Sequence, residues 1–267
     1  MAVDFLFKDK YNINDLIEIV RILRAPGGCP WDIKQTHASI KKDFIEETYE
    51  VVEAINKDDK TLLCEELGDV LLQVAFHSDI ERENGTFDFG DVADGICKKL
   101  IIRHPHVFGD VKADTADEVL TNWDEIKRRT KHQKSVAQSI DSIPRELPAL
   151  MRASKIQSRA AKTGFDFDST DSALDKITEE TAELKEAVAS GDKAKISDEL
   201  GDLLFAAVNV ARFTGVEAEE SLTASSDKFS SRFKITEELA KQKNIDMKSA
   251  SIKELDVLWD EAKKLTK

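Results

Sequence analysis

No stretch of this 267-residue chain is apolar over the roughly 20 residues that a membrane span requires; even Leu67–Phe76 is short and bounded by charge, so no transmembrane segment is expected. The first residues, MAVDFLFKDKY, lack a basic start, a long apolar middle and a small-residue cleavage site, and no secretion signal is expected either. Cysteine is scarce. Cys29, Cys64 and Cys97 are odd in number, far apart and free of any CxxC pair, which excludes a zinc ribbon or a thioredoxin-type redox pair. They read as small packing residues in a reducing, cytoplasmic protein. Positive charge is in deficit, with 39 Lys plus Arg against 52 Asp plus Glu and a formal net charge of -13. Such a surface repels a polyphosphate backbone, so no nucleic-acid partner is expected; a small anion can still be held by a metal or a few local cations. Aromatics amount to only 7%, and all five prolines lie at or before Pro148. The remainder of the chain therefore reads as nearly uninterrupted helix.

What is present is helical periodicity. Ile13, Leu16, Ile17, Val20 and Leu23 form one stripe, Phe44, Val51, Val52 and Ile55 a second, and Leu63, Leu67, Val70, Leu71 and Val74 a third. Strand-like alternation is sustained nowhere, so the expected fold class is all-α. The polar stretch 131–148, closed by Pro144 and Pro148, reads as a linker between an N-terminal module, 1–130, and a C-terminal one, 149–267.

An internal duplication supports that division. EETYEVVEA from Glu46 matches EETAELKEA from Glu179, and EELGDVLL from Glu65 matches DELGDLLF from Asp198, all at a constant offset of 133 residues. Thirteen of the 33 positions from 43 to 75 are identical without a gap, beyond what chance gives. Upstream, Arg21–Asp32 matches Lys155–Asp166 at an offset of 134; downstream, Lys99 and Arg103 match Lys228 and Arg232, and WDEIK from Trp123 matches WDEAK from Trp259. Two copies point to a paired module rather than a solenoid.

Each copy carries acids three apart on one helix (Glu47 and Glu50; Glu180 and Glu183) and another such pair on the next (Glu66 and Asp69; Glu199 and Asp202). Spacing of three places each pair on one face, and the turn residues between the helices predict an antiparallel hairpin that brings the four together. An isolated ExxE is ordinarily a solvated stripe. Here the second pair is interleaved with leucines, valines and a phenylalanine, which places it at the edge of a packed face. Two carboxylates about 5 Å apart at an effective dielectric near 20 repel by ~3 kcal/mol, and four make six such pairs. That total rivals the roughly 5–15 kcal/mol stability of a domain, so either protons or a cation must sit among them. Oxygen ligands without Cys or His suit Mg²⁺ or Mn²⁺ rather than zinc. No Glu-x-x-His occurs, which counts against a di-iron bundle, and Gly27-Gly28 is a helix-to-helix turn rather than a phosphate loop, since no GK[ST] follows.

The EExxE and ELGD segments, with GGCPWD (27–32), RHPHVFGD (103–110) and GFDF (164–167), resemble the tandem-repeat MazG family of nucleoside triphosphate pyrophosphohydrolases over nearly the whole chain. The resemblance implies an all-α enzyme that cleaves an NTP to NMP and pyrophosphate, with Mg²⁺ held by the four acids and a homodimer completing a four-helix bundle. It implies metal ligation and catalysis by Glu180, Glu183, Glu199 and Asp202, and nucleotide contacts from Lys176, Lys195, Lys228, Arg232 and Trp259. In the N-terminal repeat Glu47, Glu50, Glu66 and Asp69 match the metal positions, and Lys99, Arg103 and Trp123 the nucleotide positions. That repeat departs at Asp43 and Leu62, which stand where the other has Lys176 and Lys195. A triphosphate needs cations beyond the metal, so the C-terminal half is expected to be the principal catalytic module. His104 and His106 read as structural, and His37, His77 and His132 as lacking a metal partner at helical spacing. The rival reading is a helical interaction protein whose acidic helices bind a partner, with little hydrolase activity.

Overall fold

The computed structural model describes residues 5–111, 115 and 135–266, and among them it contains helices and no strand. Contacts divide the chain into two compact units, Met1–Thr130 and Lys131–Lys267. Part of the stretch expected as a linker is folded: a short helix, Val136–Asp141, packs within the second unit, and Ile143 after it is buried.

The first unit contains α1 (Ile13–Arg24), α2 (His37–Asn56), α3 (Lys60–Asn84), α4 (Phe89–Arg103) and the short α5 (Pro105–Phe108). Local chemistry sets these bounds. Asn12 begins α1 with a capping box to Asp15, Thr36 begins α2 with one to Ser39, and the Asp59 carboxylate accepts from the Thr61 and Leu62 amides at the start of α3. The core joins α1, α2 and α3 through Val20, Ile40, Ala75, Phe76 and Ile80, with Leu16, Leu72 and Phe89 against them. Between α1 and α2 the chain turns at Gly28, where a Cβ would collide with the backbone oxygens of Ile22 and Leu23. Buried Arg24 pins that loop, donating to the Asp32 oxygen at 2.8 Å and to Glu83 at 2.7 Å on α3.

In the second unit α6 (Val136–Asp141) and α7 (Ala149–Ala161) precede α8 (Thr170–Ser190) and α9 (Lys193–Thr214), followed by α10 (Ala218–Gln242) and α11 (Ile252–Leu265). Leu239, Ala240, Leu258 and Ala262 join the last two helices. The α2–α3 and α8–α9 hairpins are closed alike. Asp58 and Gly191, equivalent in the repeat, both take a left-handed conformation (φ 53° and 72°), and the next residue, Asp59 or Asp192, caps the second helix. The repeated sequence is thus a repeated helical hairpin.

Many apolar side chains on these hairpins remain exposed, among them Ile45, Tyr49, Leu67 and Leu71 in the first and Leu174, Val188, Leu200 and Leu204 in the second. The expectation that the cysteines are packing residues is corrected for two of them: Cys64 and Cys97 are exposed, because they lie on helix faces that no described element covers, while Cys29, in the loop after α1, is half-buried. No described helix is long and apolar enough to cross a membrane.

Candidate metal centre

In the first unit the hairpin brings ligand oxygens of Glu47, Glu66 and Asp69 within 4.8 Å of one another. Glu66 is buried, with 8% of its surface exposed. Burial, and then a hydrogen bond with the Glu50 side chain, pushes its carboxyl above the ordinary glutamate value of 4.5. Glu50, the fourth acid of the set, thus bears on the cluster without being one of its three converging ligands. Glu47 is raised as well, by burial and by the charges of Asp69 and Glu50.

The second unit assembles the equivalent set differently. Oxygens of Glu180, Glu199 and Asp202 lie within 4.8 Å of one another, and a second group of the same tightness joins Glu179, Glu180 and Glu183. Here the buried acid is Glu180, at 4% exposure, on the first helix rather than the second. Lys176 pairs with it at 2.6 Å and with Glu179 at 2.8 Å, and these carboxylates hold the ammonium well above its ordinary value. Glu180 Oε2 is buried and lacks a hydrogen-bond partner. Glu183 is raised by burial and by Glu180 and Glu199, with Lys176 opposing. A lysine thus offsets the crowding in the second repeat, whereas in the first burial and the neighbouring carboxyls raise Glu66 and Glu47. That Asp43 replaces this lysine in the first repeat explains the difference.

The other residues selected from sequence have surroundings of their own. Lys195 and Lys228 are exposed and, like Lys99 and Arg103, form no ion pair among the described residues. Arg232 donates from Nε to the Thr266 hydroxyl at 3.1 Å, and Trp259 lies against Phe229 with ring centroids 5.1 Å apart. Trp123 and His132 fall outside the described residues. His104 is engaged with the Leu100 oxygen at 2.6 Å, a structural role. Two features escaped the sequence. Glu179 belongs to the acidic group, visible beforehand only as one more acid in EExxE. The second is a contact between His37 and His77, which have no metal-ligand partner at helical spacing: their Nδ1 atoms meet at 2.6 Å across α2 and α3, and His37 Nε2 engages Glu81 at 2.6 Å. The separation of 40 positions between the two histidines hides that contact from any helical spacing.

The donor set and the orphaned Glu180 Oε2 fit a hard divalent cation: all ligands are oxygens, two helices supply them, and crowding leaves them short of positive charge. The model of the MazG nucleotide pyrophosphohydrolase domain matches this chain twice, over residues 35–108 and 168–236, once for each hairpin. The chain belongs to the MazG family. Among MazG relatives, the nucleoside triphosphate pyrophosphohydrolase of Escherichia coli K12 is 43% identical over 94% of this chain and 97% of its own length. The nucleoside triphosphate pyrophosphohydrolase/pyrophosphatase MazG of Thermotoga maritima is 43% identical over 93% of this chain and 94% of its own. The uncharacterized protein YabN of Bacillus subtilis is 47% identical over 92% of this chain but only 50% of its own length.

The raised Glu66 carboxyl in the first MazG repeat has a consequence for stability. A carboxyl raised in the folded state makes the fold bind more protons than the unfolded chain, so this contribution falls as pH rises above 4.5 through the raised value. Metal-free Glu66→Gln, which keeps a donor toward Glu50 without a charge, is expected to lose less thermal stability than wild type over that rise. Melting curves recorded against pH check this, and parallel profiles for the two proteins would contradict a raised Glu66 carboxyl.

Proposed function

We propose that this protein is a Mg²⁺-dependent nucleoside triphosphate pyrophosphohydrolase, splitting NTPs or dNTPs into the NMP and pyrophosphate, with the second repeat as its principal catalytic half. The observation that carries this is the convergence of Glu180, Glu199 and Asp202 from two helices around a buried, unpartnered carboxylate oxygen, in a chain of the MazG family. Glu180, Glu183, Glu199 and Asp202 would hold the ion, with Mn²⁺ a substitute. A bound divalent cation supplies charge neutralisation at the phosphates and lowers the pKa of a coordinated water.

The chain's own residues do the rest. The paired acids on α8 and α9 would hold the ion rather than touch the triphosphate, and Lys176, which pairs with Glu180 and Glu179, would transfer its charge to a phosphate oxygen. Lys195, and Lys228 with Arg232 four residues on along α10, add cations for the remaining phosphates, and Trp259 offers an aromatic face to the nucleotide. In the first repeat Glu47, Glu50, Glu66 and Asp69 would bind metal, with Lys99, Arg103 and Trp123 in the matching nucleotide positions. The exposed leucines and valines beside both acidic clusters support a homodimer in which a second copy covers them. A role in cytoplasmic nucleotide-pool control or house-cleaning follows from this activity.

Purified protein given each of the eight common NTPs and dNTPs with Mg²⁺ or Mn²⁺ is expected to release NMP and pyrophosphate in equal amounts. Release of orthophosphate instead, or no hydrolysis, would overturn the reading and favour the interaction protein.

A further inference from the structure

The first unit holds a second group of ligand-type side chains, at the open end of its hairpin and apart from the acids. His37 is the first residue of α2, and His77 follows Asp69 on α3 by ~12 Å of helix. Their Nδ1 atoms are 2.6 Å apart, the ring centroids are 4.9 Å apart and the ring planes differ by 7°. That centroid separation is as large as an Nδ1 contact and two ring radii allow. The rings therefore lie edge to edge in nearly one plane, each Nδ1 aimed at the other, and not face to face. Phe44 packs beside His77, with centroids 5.6 Å apart.

A carboxylate orients this pair. His37 Nε2 meets Glu81 Oε1 at 2.6 Å, and Glu81 in turn accepts from the Thr86 hydroxyl and from Asn84 Nδ2 at 3.2 Å. The bond from Thr86, and then that from His37, keep the Glu81 carboxyl below its ordinary value of 4.5 and so ionised. A carboxylate accepts, so His37 carries its proton at Nε2 and turns the lone pair of Nδ1 toward His77. Burial, and then the charge of His37, lowers His77 below 6.5, which leaves it a neutral imidazole at neutral pH. A single proton, on His77 Nδ1, thus lies between two nitrogens of the kind that bind metals.

We propose that His37 Nδ1 and His77 Nδ1 bind a borderline transition-metal ion of the Zn²⁺ and Cu²⁺ class, which takes the place of that proton. The displaced proton passes through solvent to His77 Nε2, so both rings stay neutral, and water completes the coordination. Glu81 orients a ligating histidine through its other nitrogen, the usual arrangement around a protein-bound metal. Two nitrogens ~2.05 Å from a tetrahedral ion stand ~3.3 Å apart, so the rings separate by under ~1 Å on binding. His37 supplies that movement, since it lies at a helix end with 44% of its side chain exposed. Imidazole selects borderline ions and carboxylates hard ones, so the hairpin carries two metal sites of different kinds. The second repeat lacks this one: Thr170, Val210 and Thr214 stand where the first has His37, His77 and Glu81. The site is independent of what the protein hydrolyses.

The full-length protein, the double variant His37→Thr/His77→Val, the single variant His77→Val and Glu81→Gln are compared at neutral pH in excess Mg²⁺, which competes for the acid clusters. EPR is recorded with one equivalent of Cu²⁺, and Zn²⁺ binding is followed by calorimetry and by its shift of the melting temperature. Wild type is expected to show splitting from two imidazole nitrogens and a melting temperature raised by Zn²⁺. The double variant, which installs the second repeat's residues, is expected to lose both. Glu81→Gln is expected to keep the nitrogen splitting and to bind Zn²⁺ about 10- to 100-fold more weakly. Circular dichroism reports whether each variant is folded, and if the double variant is not, His77→Val decides by losing one of the two nitrogens. Oxygen ligands alone around Cu²⁺ in wild type would overturn the proposal. So would two-nitrogen splitting and a Zn²⁺ shift that persist in the folded double variant, or in folded His77→Val, since the ion would then sit elsewhere in the chain. Zn²⁺ affinity within about twofold of wild type in Glu81→Gln would overturn the part given to Glu81.

Discussion

Replacing Glu199 by glutamine is expected to lower Mg²⁺-dependent pyrophosphate release on the order of 10²- to 10³-fold, the scale seen when one preorganised charge-stabilising group is removed from a catalytic site. The substitution keeps the size and the helix propensity of the side chain and removes only its charge. Glu199 stands on α9 with its oxygen within 4.8 Å of those of Glu180 and Asp202, so losing it removes one of three converging ligands and relieves the crowding that raises Glu183. The metal-free variant should accordingly be no less stable than wild type, while its response to Mg²⁺ in thermal unfolding weakens. Activity and the Mg²⁺-induced shift in melting temperature are thus expected to fall together. Undiminished hydrolysis by a folded Glu199→Gln protein would rule out this carboxylate site.

Asp202→Asn and Asp69→Asn, equivalent changes in the two repeats, are expected to differ by at least tenfold in residual activity, the C-terminal variant losing about 10² or more and the N-terminal one only a fewfold. The first repeat has its acids in place but not its cations, since Asp43 and Leu62 occupy the positions of Lys176 and Lys195. Its buried Glu66 carboxyl is raised, and a raised carboxyl binds a metal less readily at acidic pH. Steady-state rates with one saturating NTP check the comparison, and equal loss in both variants would contradict the preference for the second half.

The duplication made the hairpins and both acid sets legible before any coordinates, because helical spacing and a fixed offset constrain the same residues twice. The turn segments between the paired helices were legible as well, and Asp59 and Asp192 within them prove to be the helix caps. What stayed hidden depends on contacts between elements. Periodicity identifies an apolar face but not whether the chain's own helices cover it, so Leu67 and Leu200 read as packed though they are exposed. The burial of Glu66 in one repeat and Glu180 in the other could not be deduced from matching sequences, nor could the meeting of His37 with His77. Lys176 was selected as a nucleotide contact, and the ion pair that it makes with Glu180 shows a second use of the same charge.

The matched closures of the two hairpins, a single left-handed residue followed by an aspartate, make chain length a stricter constraint than residue identity. An α-helix advances about 100° per residue, so one residue inserted between Asp192 and Glu199 would swing Glu199 and Asp202 away from Glu180 while every ligand remained in the sequence. Asp58 and Gly191 are chemically unlike yet hold the same position, whereas the distance from turn to ligand is identical in both repeats. Divergence by substitution has therefore been open to these modules since they were duplicated, and divergence by insertion or deletion within this segment has been closed.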